Sequence, residues 1–239
     1  MTVIESVQPT DQAPGGAPAP GAHRFDRLTA DEARRAIYVD FEGRIDVEPV
    51  LLGVLVPLRR GQTVLHQYVW DPELVMGGGG LELMPSLSDA VEAVVRRADS
   101  RRRPIVAWSP RELEVVEAYC DAGLANRFRD RYVNANLIAK PWRRTRYPNL
   151  VWEPDHRGRV NSLSRYLDLI GHTVPEGCGE AIAAQAIQRV QDGLGRVGSF
   201  EGLKPDVKAA WANMLCHNRH DCIGMRDVCL RATADLERR

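Results

Sequence analysis

Residues 36–43 read Ala-Ile-Tyr-Val-Asp-Phe-Glu-Gly, and this stretch indicates the fold class. Its β-branched and aromatic side chains favour an extended strand, which the final glycine ends. Side chains alternate between the two faces of a strand, so Asp40 and Glu42 lie on one face and their immediate chain neighbours lie on the other. We therefore predict a strand that buries one face and presents two carboxylates on the opposite face.

Two more β-prone runs follow this strand, at residues 50–57 and 63–70. The connections between the runs, residues 43–46 and 59–62, are short enough for antiparallel neighbours. The three runs together predict an antiparallel meander at the start of the fold.

After the meander the chain alternates between helical and extended patterns. Apolar residues at helical spacing predict a helix over residues 87–98, with Ser86 or Ser88 as its N-cap. Residues 104–108 are typical of a buried strand, and Pro110 starts a second helix that ends near Gly123. Further elements are predicted as a strand at residues 132–138 and helices at residues 162–170, 180–194 and 205–231, the last bent near residues 218–222.

The composition fits one α/β domain. The chain has 239 residues with 44% hydrophobic content, which is enough for one sizeable core. Residues 1–23 are rich in Pro, Gly, Ala and Gln, so we expect a disordered N-terminal segment followed by a folded domain over residues 24–239. The formal charge is zero, so any binding to nucleic acid must depend on local clusters of charge.

The cysteines and the hydropathy of the chain indicate in which cellular compartment the protein resides. The five cysteines form an odd set without the regular spacing of a disulfide framework, and no signal peptide is recognisable. The longest apolar runs are far shorter than the roughly 20 residues of a membrane-spanning helix. These features predict a soluble cytoplasmic protein that does not bind membranes.

The acid pair of the first strand has a chemical consequence. Carboxylates this close repel each other, which raises the proton affinity of one of them unless Mg²⁺ or Mn²⁺ neutralises the pair. An exposed acidic edge strand is the alternative interpretation of Asp40 and Glu42. The pair alone therefore does not decide between a metal site and a solvated surface.

Two further groups of acids are candidates for the same site. Glu112 and Glu114 fall in the first turn of the helix after the buried strand, where acids are also common because of the helix dipole. His217 and Asp221 are four residues apart in the last helix and so share one face, from which a neutral imidazole can take a proton from water.

Zinc is the competing interpretation of the last segment. Cys216, His220 and Cys222, or His217 in place of one of them, could contribute ligands. A structural zinc site usually takes four ligands as two separated pairs, and the sequence has no evident second pair.

Three stretches, residues 38–43, 106–112 and 217–222, resemble the motifs of the DEDD group of the ribonuclease H-like superfamily. The resemblance is strongest to its branch of small nuclease domains that end in Tyr-Asn-x-x-Asp-Cys. Residues 161–171 are similar to the Ser-Leu-Lys-like helix ending in Leu-Gly that precedes this last motif. The resemblance covers residues 36–231.

The resemblance implies a ribonuclease H-like mixed sheet, with three antiparallel strands followed by parallel strands and helices on both faces. It implies phosphodiester hydrolysis by two Mg²⁺ or Mn²⁺ ions about 3.5 to 4 Å apart. Asp40 would bridge both ions, and Glu42 and Asp221 would hold the ion that carries the attacking water. Glu112 would reach the ions directly or through water, and His217 would orient or deprotonate the water.

The chain departs from the branch at two places. His217 stands where the branch has Tyr, whereas histidine-bearing relatives have their His at the position of Cys216. Asn134 and Asn136 stand where relatives often have Asp. These departures leave open a catalytically silent ribonuclease H-like module that binds nucleic acid or protein.

A basic and aromatic segment is the candidate nucleic-acid surface. It interleaves cations with rings that stack on bases in a single-strand groove, although packing is an equal interpretation of the rings. The candidate residues are Trp142, Arg143, Arg144, Arg146 and Tyr147. Nothing in the segment reads base edges, so we expect little sequence specificity. The resemblance to the DEDD group implies a 3′-5′ exonuclease that trims single-stranded DNA or RNA.

Overall fold

The chain folds as an α/β structure around one mixed sheet. The computed structural model describes residues 27–44, 47–58, 61–78, 80–155, 158–176, 178 and 183–238. The segment predicted to be disordered, residues 1–23, lies outside the described residues.

Six strands form the sheet in the order β4-β3-β2-β1-β5-β6. Strands β1, β2 and β3 are antiparallel neighbours, whereas β4 runs parallel to β3, β5 runs parallel to β1 and β6 runs parallel to β5. The predicted meander and α/β class are confirmed. The strands are β1 (Ile37–Glu42), β2 (Leu51–Pro57), β3 (Thr63–Val69), β4 (Leu81–Leu83), β5 (Ile105–Ala107) and β6 (Tyr132–Asn134).

Helices cover both faces of this sheet. None of the described helices combines the length and apolar character needed to cross a membrane. The helices are α1 (Ala30–Arg35), α2 (Pro72–Val75), α3 (Leu87–Asp99), α4 (Arg111–Tyr119), α5 (Ala122–Arg129), α6 (Ala135–Arg146), α7 (Leu163–Ile170), α8 (Ala183–Val197) and α9 (Pro205–Glu237).

The alternation in β1 decides which helices it contacts. Ile37 and Val39 are buried in the core that α3, α4 and α5 complete. Tyr38 points the other way, into the core shared with α6, α7 and α9. Asp40 and Glu42 follow Tyr38 at intervals of two, so they face α9, as the strand period predicts.

The N-terminal ends of two helices follow their sequence signals. Ser86 caps α3 by accepting a hydrogen bond from the Asp89 amide, which confirms the first of the two predicted caps. In α4 the predicted start is shifted by one position, because Pro110 is the N-cap and the helix begins at Arg111.

Two predicted boundaries are wrong for reasons visible in the structure. The helix expected to reach Gly123 ends at Tyr119, because Cys120 is extended and the Asp121 side chain caps α5. The strand expected over residues 132–138 ends at Asn134, whose side chain accepts from the Asn136 amide and starts α6. Polar N-caps therefore override the apolar pattern at both places.

Candidate active site

Helix α9 crosses the acid-bearing face of β1, and one asparagine holds the two elements together. The Nδ2 of Asn218 donates to the backbone oxygen of Asp40 at 3.0 Å and to Oδ2 of the Asp40 side chain at 2.9 Å. Asn218 is fully buried, and its Oδ1 accepts from Nε2 of Gln67 at 3.1 Å. The Asp40 carboxylate is therefore oriented by a residue of α9.

A glycine in the neighbouring strand makes this contact fit. Gly53 is paired with Asp40 in the sheet, and a Cβ built on it would lie 2.2 Å from Oδ1 of Asn218. A glycine inside a strand is a sequence signal for close approach of another group. Sequence reasoning did not single out Gly53 or Gln67, although the glycine offered that signal.

We predict that Gly53→Ala lowers the free energy of unfolding by about 1–3 kcal/mol, because the added methyl group displaces the Asn218 side chain. The matched control is Gly195→Ala in α8, where an added Cβ meets nothing within 4 Å and better helix propensity adds up to about 1 kcal/mol. Urea unfolding of both variants is the measurement. Equal midpoints for Gly53→Ala and wild type would show that the contact does not position α9.

Glu112 reaches the site from the first turn of α4. It is 6% exposed, and its Oε2 accepts hydrogen bonds from the Ser109 amide at 3.3 Å and from the Ser109 hydroxyl at 3.0 Å. Glu114, the substitute candidate in the same turn, is exposed. The structure therefore brings Glu112, and not Glu114, to the acidic pair of β1.

His217 and Asp221 complete the group from α9. Nε2 of His217 lies 3.6 Å from Oδ2 of Asp221 and 3.9 Å from Oε1 of Glu42. Nδ1 of the same ring lies 3.2 Å from the carbonyl oxygen of Cys178. A carbonyl can only accept, so this contact places a proton on Nδ1 and directs Nε2 at the carboxylates.

All five predicted catalytic residues line one open cleft of about 860 Å³. They come from β1, α4 and α9, three elements that are distant in the sequence. The residues are Asp40, Glu42, Glu112, His217 and Asp221.

Burial and mutual repulsion favour the protonated, uncharged form of these carboxyl groups. Desolvation, with repulsion from Asp221, raises the pKa of Asp40 to about 7, although His217 and Asn218 oppose the shift. Desolvation and repulsion from Asp40 also raise the pKa of Glu112 to about 7 and the pKa of Glu42 well above its usual range. The cleft therefore favours protons or cations among its acids.

The chemistry of these donors fits a hard divalent cation, since Mg²⁺ and Mn²⁺ prefer carboxylate oxygens. The distances between these side chains are less suitable for a metal ion. In the part of the chain that the structure describes, no group of three or more His, Cys, Asp and Glu side chains is arranged closely enough to hold a metal ion as it stands. Three of these carboxylates would have to move closer together to share an ion.

The zinc ligands considered for the last motif do not come together. Cys216 forms a disulfide with Cys178, a pairing that the cysteine spacing did not indicate. Cys222 is fully buried in the core behind α9, and Nδ1 of His220 lies 3.5 Å from Nε2 of His172 instead. The disulfide joins the segment that contacts His217 to the residue immediately before His217.

The candidate nucleic-acid residues lie on α6 and at its C-terminal end, and Trp142 is not accessible to a base. Trp142 is 1% exposed in the core, and its Nε1 donates to Oδ2 of Asp235 at 3.0 Å, so its ring cannot stack on a base. Tyr147 packs edge-on against it at 5.9 Å. Arg144 and Arg146 are exposed, as a phosphate contact requires.

Arg143 is engaged within the protein. Its guanidinium lies 4.5 Å from the centre of the Trp152 ring, as in a cation–π contact. Two partly exposed aromatic side chains, Phe41 and Trp108, line the cleft beside the acids, and the sequence suggested Trp108 only as part of the second motif.

No protein-family model, curated protein or solved structure matches this chain.

Proposed function

We propose that this protein is a divalent-metal-dependent nuclease that hydrolyses phosphodiester bonds, acting as a 3′-5′ exonuclease on single-stranded DNA or RNA. The observation that carries the proposal is the meeting of four carboxylates and one histidine in a single open cleft. Structural acids are usually paired with cations or exposed to solvent, whereas these acids repel one another in a buried place.

The sheet order supports a ribonuclease H-like fold. Strands β3, β2 and β1 are antiparallel neighbours, and β5 and β6 continue the sheet parallel to β1. This is the arrangement of strands that the resemblance to the DEDD group implies. The acids also come from the expected places, namely the first strand, the helix after the first parallel strand, and the last helix.

Asp40, Glu42, Glu112 and Asp221 would hold two Mg²⁺ or Mn²⁺ ions. When bound, such ions neutralise the charge of the phosphodiester and lower the pKa of a coordinated water. Asn218 keeps the Asp40 carboxylate aimed into the cleft, and Ser109 does the same for Glu112. Hydrogen-bonded supports of this kind set the direction of a ligand and are part of a metal site.

His217 supplies the base in this proposal. Its Nδ1–H donates to the Cys178 carbonyl, so the free electron pair on Nε2 faces the carboxylates and can accept a proton from the attacking water. The tyrosine of the resembled branch lacks this capacity near neutral pH, since its hydroxyl loses a proton only around pH 10. The substitution at this position is therefore compatible with turnover.

The test is degradation of a 5′-labelled single-stranded oligonucleotide. We predict products that shorten progressively from the 3′ end with Mn²⁺ or Mg²⁺, and no products in excess chelator, because the acids then lack the ions that offset their repulsion. Cleavage that continues unchanged in chelator would refute the metal requirement, and the absence of cleavage with either ion would refute the nuclease.

A second candidate is a catalytically silent module that binds single-stranded nucleic acid. It is favoured by the carboxylate spacing, which in the described residues does not form a ready site for an ion. Binding of the same oligonucleotide without cleavage in Mn²⁺ would support this candidate over the nuclease.

A further inference from the structure

We propose that the end of the cleft next to α6 is a nucleotide-binding subsite, in which Trp108 stacks on an unpaired base and Lys140 binds a phosphate beside the scissile one. The inference rests on the proposed function, which it deepens by naming the form of substrate the site takes. A base can stack on a protein ring only when it has left its own duplex, so the subsite selects single strands.

The sheet register places Trp108 beside the catalytic acids. Tyr38 of β1 is paired with Val106 of β5. Asp40 lies two residues after Tyr38, and Trp108 lies two residues after Val106, immediately past the end of β5. Adjacent strands are about 4.8 Å apart, and positions separated by two share a face. Trp108 is therefore the next group along the sheet from Asp40, on the same face.

The Trp108 ring is held in place before any ligand arrives. Its Nε1 donates to the carbonyl of Asn161 at 3.1 Å, and its ring meets Tyr166 edge-on at 5.1 Å between centres. It remains partly exposed where it lines the cleft. A fixed ring loses little conformational freedom when a base stacks on it, which favours binding.

Asn136 adds an acceptor at the same end of the cleft. Its amide N–H donates to the Trp108 carbonyl, and its Nδ2 donates to the Asn161 carbonyl at 2.8 Å. Its Oδ1 is buried and has no hydrogen-bond partner within the described residues. An unpaired buried acceptor is costly, so a small rotation that offers it to a hydroxyl or amino group of a nucleotide is favourable.

Lys140 supplies a positive charge one helical turn beyond Asn136, on the same face of α6. It lines the cleft, is partly exposed, and has no carboxylate oxygen within 4.0 Å in the part of the chain that is described. A surface lysine is ordinary, but this one stands beside a cleft that must accept a polyanion. The other two lysines of the chain, Lys204 and Lys208, lie at the start of α9.

The surface beyond Lys140 also combines cationic and aromatic side chains. Arg143 lies on the next turn of α6 with its guanidinium over Trp152, and Trp152 meets Tyr166 at 4.8 Å. Trp108 and Trp152 thus contact the same tyrosine, and the cationic side of α6 leads away from the cleft. A bound strand that leaves the cleft along α6 would pass over this surface.

The experiment measures binding, so it does not depend on turnover. The full-length protein is titrated into fluorescein-labelled oligothymidylate or oligouridylate, and anisotropy gives the Kd over a range of salt concentrations. We expect Lys140→Met to raise the Kd about tenfold and to lower the slope of log K against log salt by about 0.7, the value for one single-strand phosphate contact. The slope is a readout that a purely structural role of the lysine would not change.

The matched control is Lys204→Met, which removes the same charge from an exposed lysine at the start of α9. It should leave both the Kd and the salt slope at the wild-type values. If Lys140→Met behaves like this control, the phosphate contact is overturned.

Variants of Trp108 test the stacking contact separately. We expect Trp108→Leu to raise the Kd roughly 10- to 100-fold with the salt slope unchanged, and Trp108→Phe to restore most of the affinity because it keeps a ring. A blunt duplex of matching sequence should bind more weakly than the single strand. Equal affinity of Trp108→Leu and wild type, with both folded by circular dichroism, would overturn the stacking role.

The outcomes separate the two proposals. Tight binding that depends on Trp108 and Lys140, without cleavage in Mn²⁺, would refute the nuclease and keep the subsite. Cleavage in Mn²⁺ with binding that ignores both residues would keep the nuclease and refute the subsite.

Discussion

Asp40→Asn is expected to abolish cleavage of labelled single-stranded oligonucleotides, by at least about 10³-fold, without unfolding the protein. The amide keeps the shape of the carboxylate, and its oxygen can still accept the hydrogen bond from Nδ2 of Asn218. What it removes is the charge that attracts cations at the centre of the cleft. The loss should therefore appear in turnover and in metal binding rather than in the fold.

The same change should stabilise the metal-free protein above neutral pH. Asp40 pays for desolvation and for repulsion from Asp221 when it is ionised, and an amide escapes both. A variant that loses activity but melts at a higher temperature than wild type identifies a residue that serves function and lowers stability. A destabilised Asp40→Asn protein would instead indicate a structural carboxylate.

The matched control for Asp40→Asn is Glu114→Gln. Glu114 is an exposed acid in the first turn of α4, two residues from Glu112. It should cleave at the wild-type rate. If Asp40→Asn retains wild-type cleavage as well, the acidic cleft is not the site of hydrolysis.

The second large effect is a loss of stability of the metal-free protein as the pH rises. The pKa values of Asp40 and Glu112 are about 7 in the folded chain, whereas the ordinary values of these side chains are 3.8 and 4.5. The folded state therefore binds more protons than the unfolded state between these limits, so its stability is fully present below about pH 4 and falls as the pH rises through 7. The loss across the cluster is on the order of a few kcal/mol.

Divalent cations should reverse this loss where the acids are ionised. We expect Mn²⁺ to raise the melting temperature by several degrees at pH 8 and by much less at pH 5, where protons already occupy the carboxyl groups. Differential scanning fluorimetry across the pH range, with chelator and with Mn²⁺, is the measurement. A Mn²⁺ shift that is the same at both pH values would argue against binding at these acids.

A double-variant comparison isolates the site. In Asp40→Asn with Glu112→Gln, both the fall in stability towards pH 8 and the Mn²⁺ response should be strongly reduced. If the steep pH dependence persists, it originates in Glu42, whose pKa is also raised well above its usual range, or in groups outside the cleft.

Local patterns explain which elements could be predicted. The β1 strand, the meander, helix α3 with its Ser86 cap and helix α7 follow from periodicity, turn residues and capping signals within a few residues. Helices α5 and α6 were missed, although Asp121 and Asn134 are good capping residues. In both places the sequence pattern predicts that the preceding element continues, and α6 contains Pro141, a residue type that disfavours a helix interior.

The aromatic residues show where sequence reasoning was insufficient. Trp108 ends an apolar run that predicts a buried strand, whereas Trp142 stands among basic residues. Only packing makes Trp142 a core residue bonded to Asp235 and leaves Trp108 partly exposed at the cleft. Which ring can meet a ligand depends on elements more than fifty residues away, such as α7 and α9.

The sequence by itself determined that Asp40 and Glu42 share one face of a buried strand and that His217 and Asp221 share one face of a helix, because these relations depend only on the repeat of each element. The tertiary structure decided that both faces meet, that Glu112 rather than Glu114 joins them, and that Asn218 fits over Gly53 to aim Asp40. It also decided that Cys178 holds His217 through its carbonyl. Contacts between distant segments depend on how whole faces pack, and no local repeat encodes that packing.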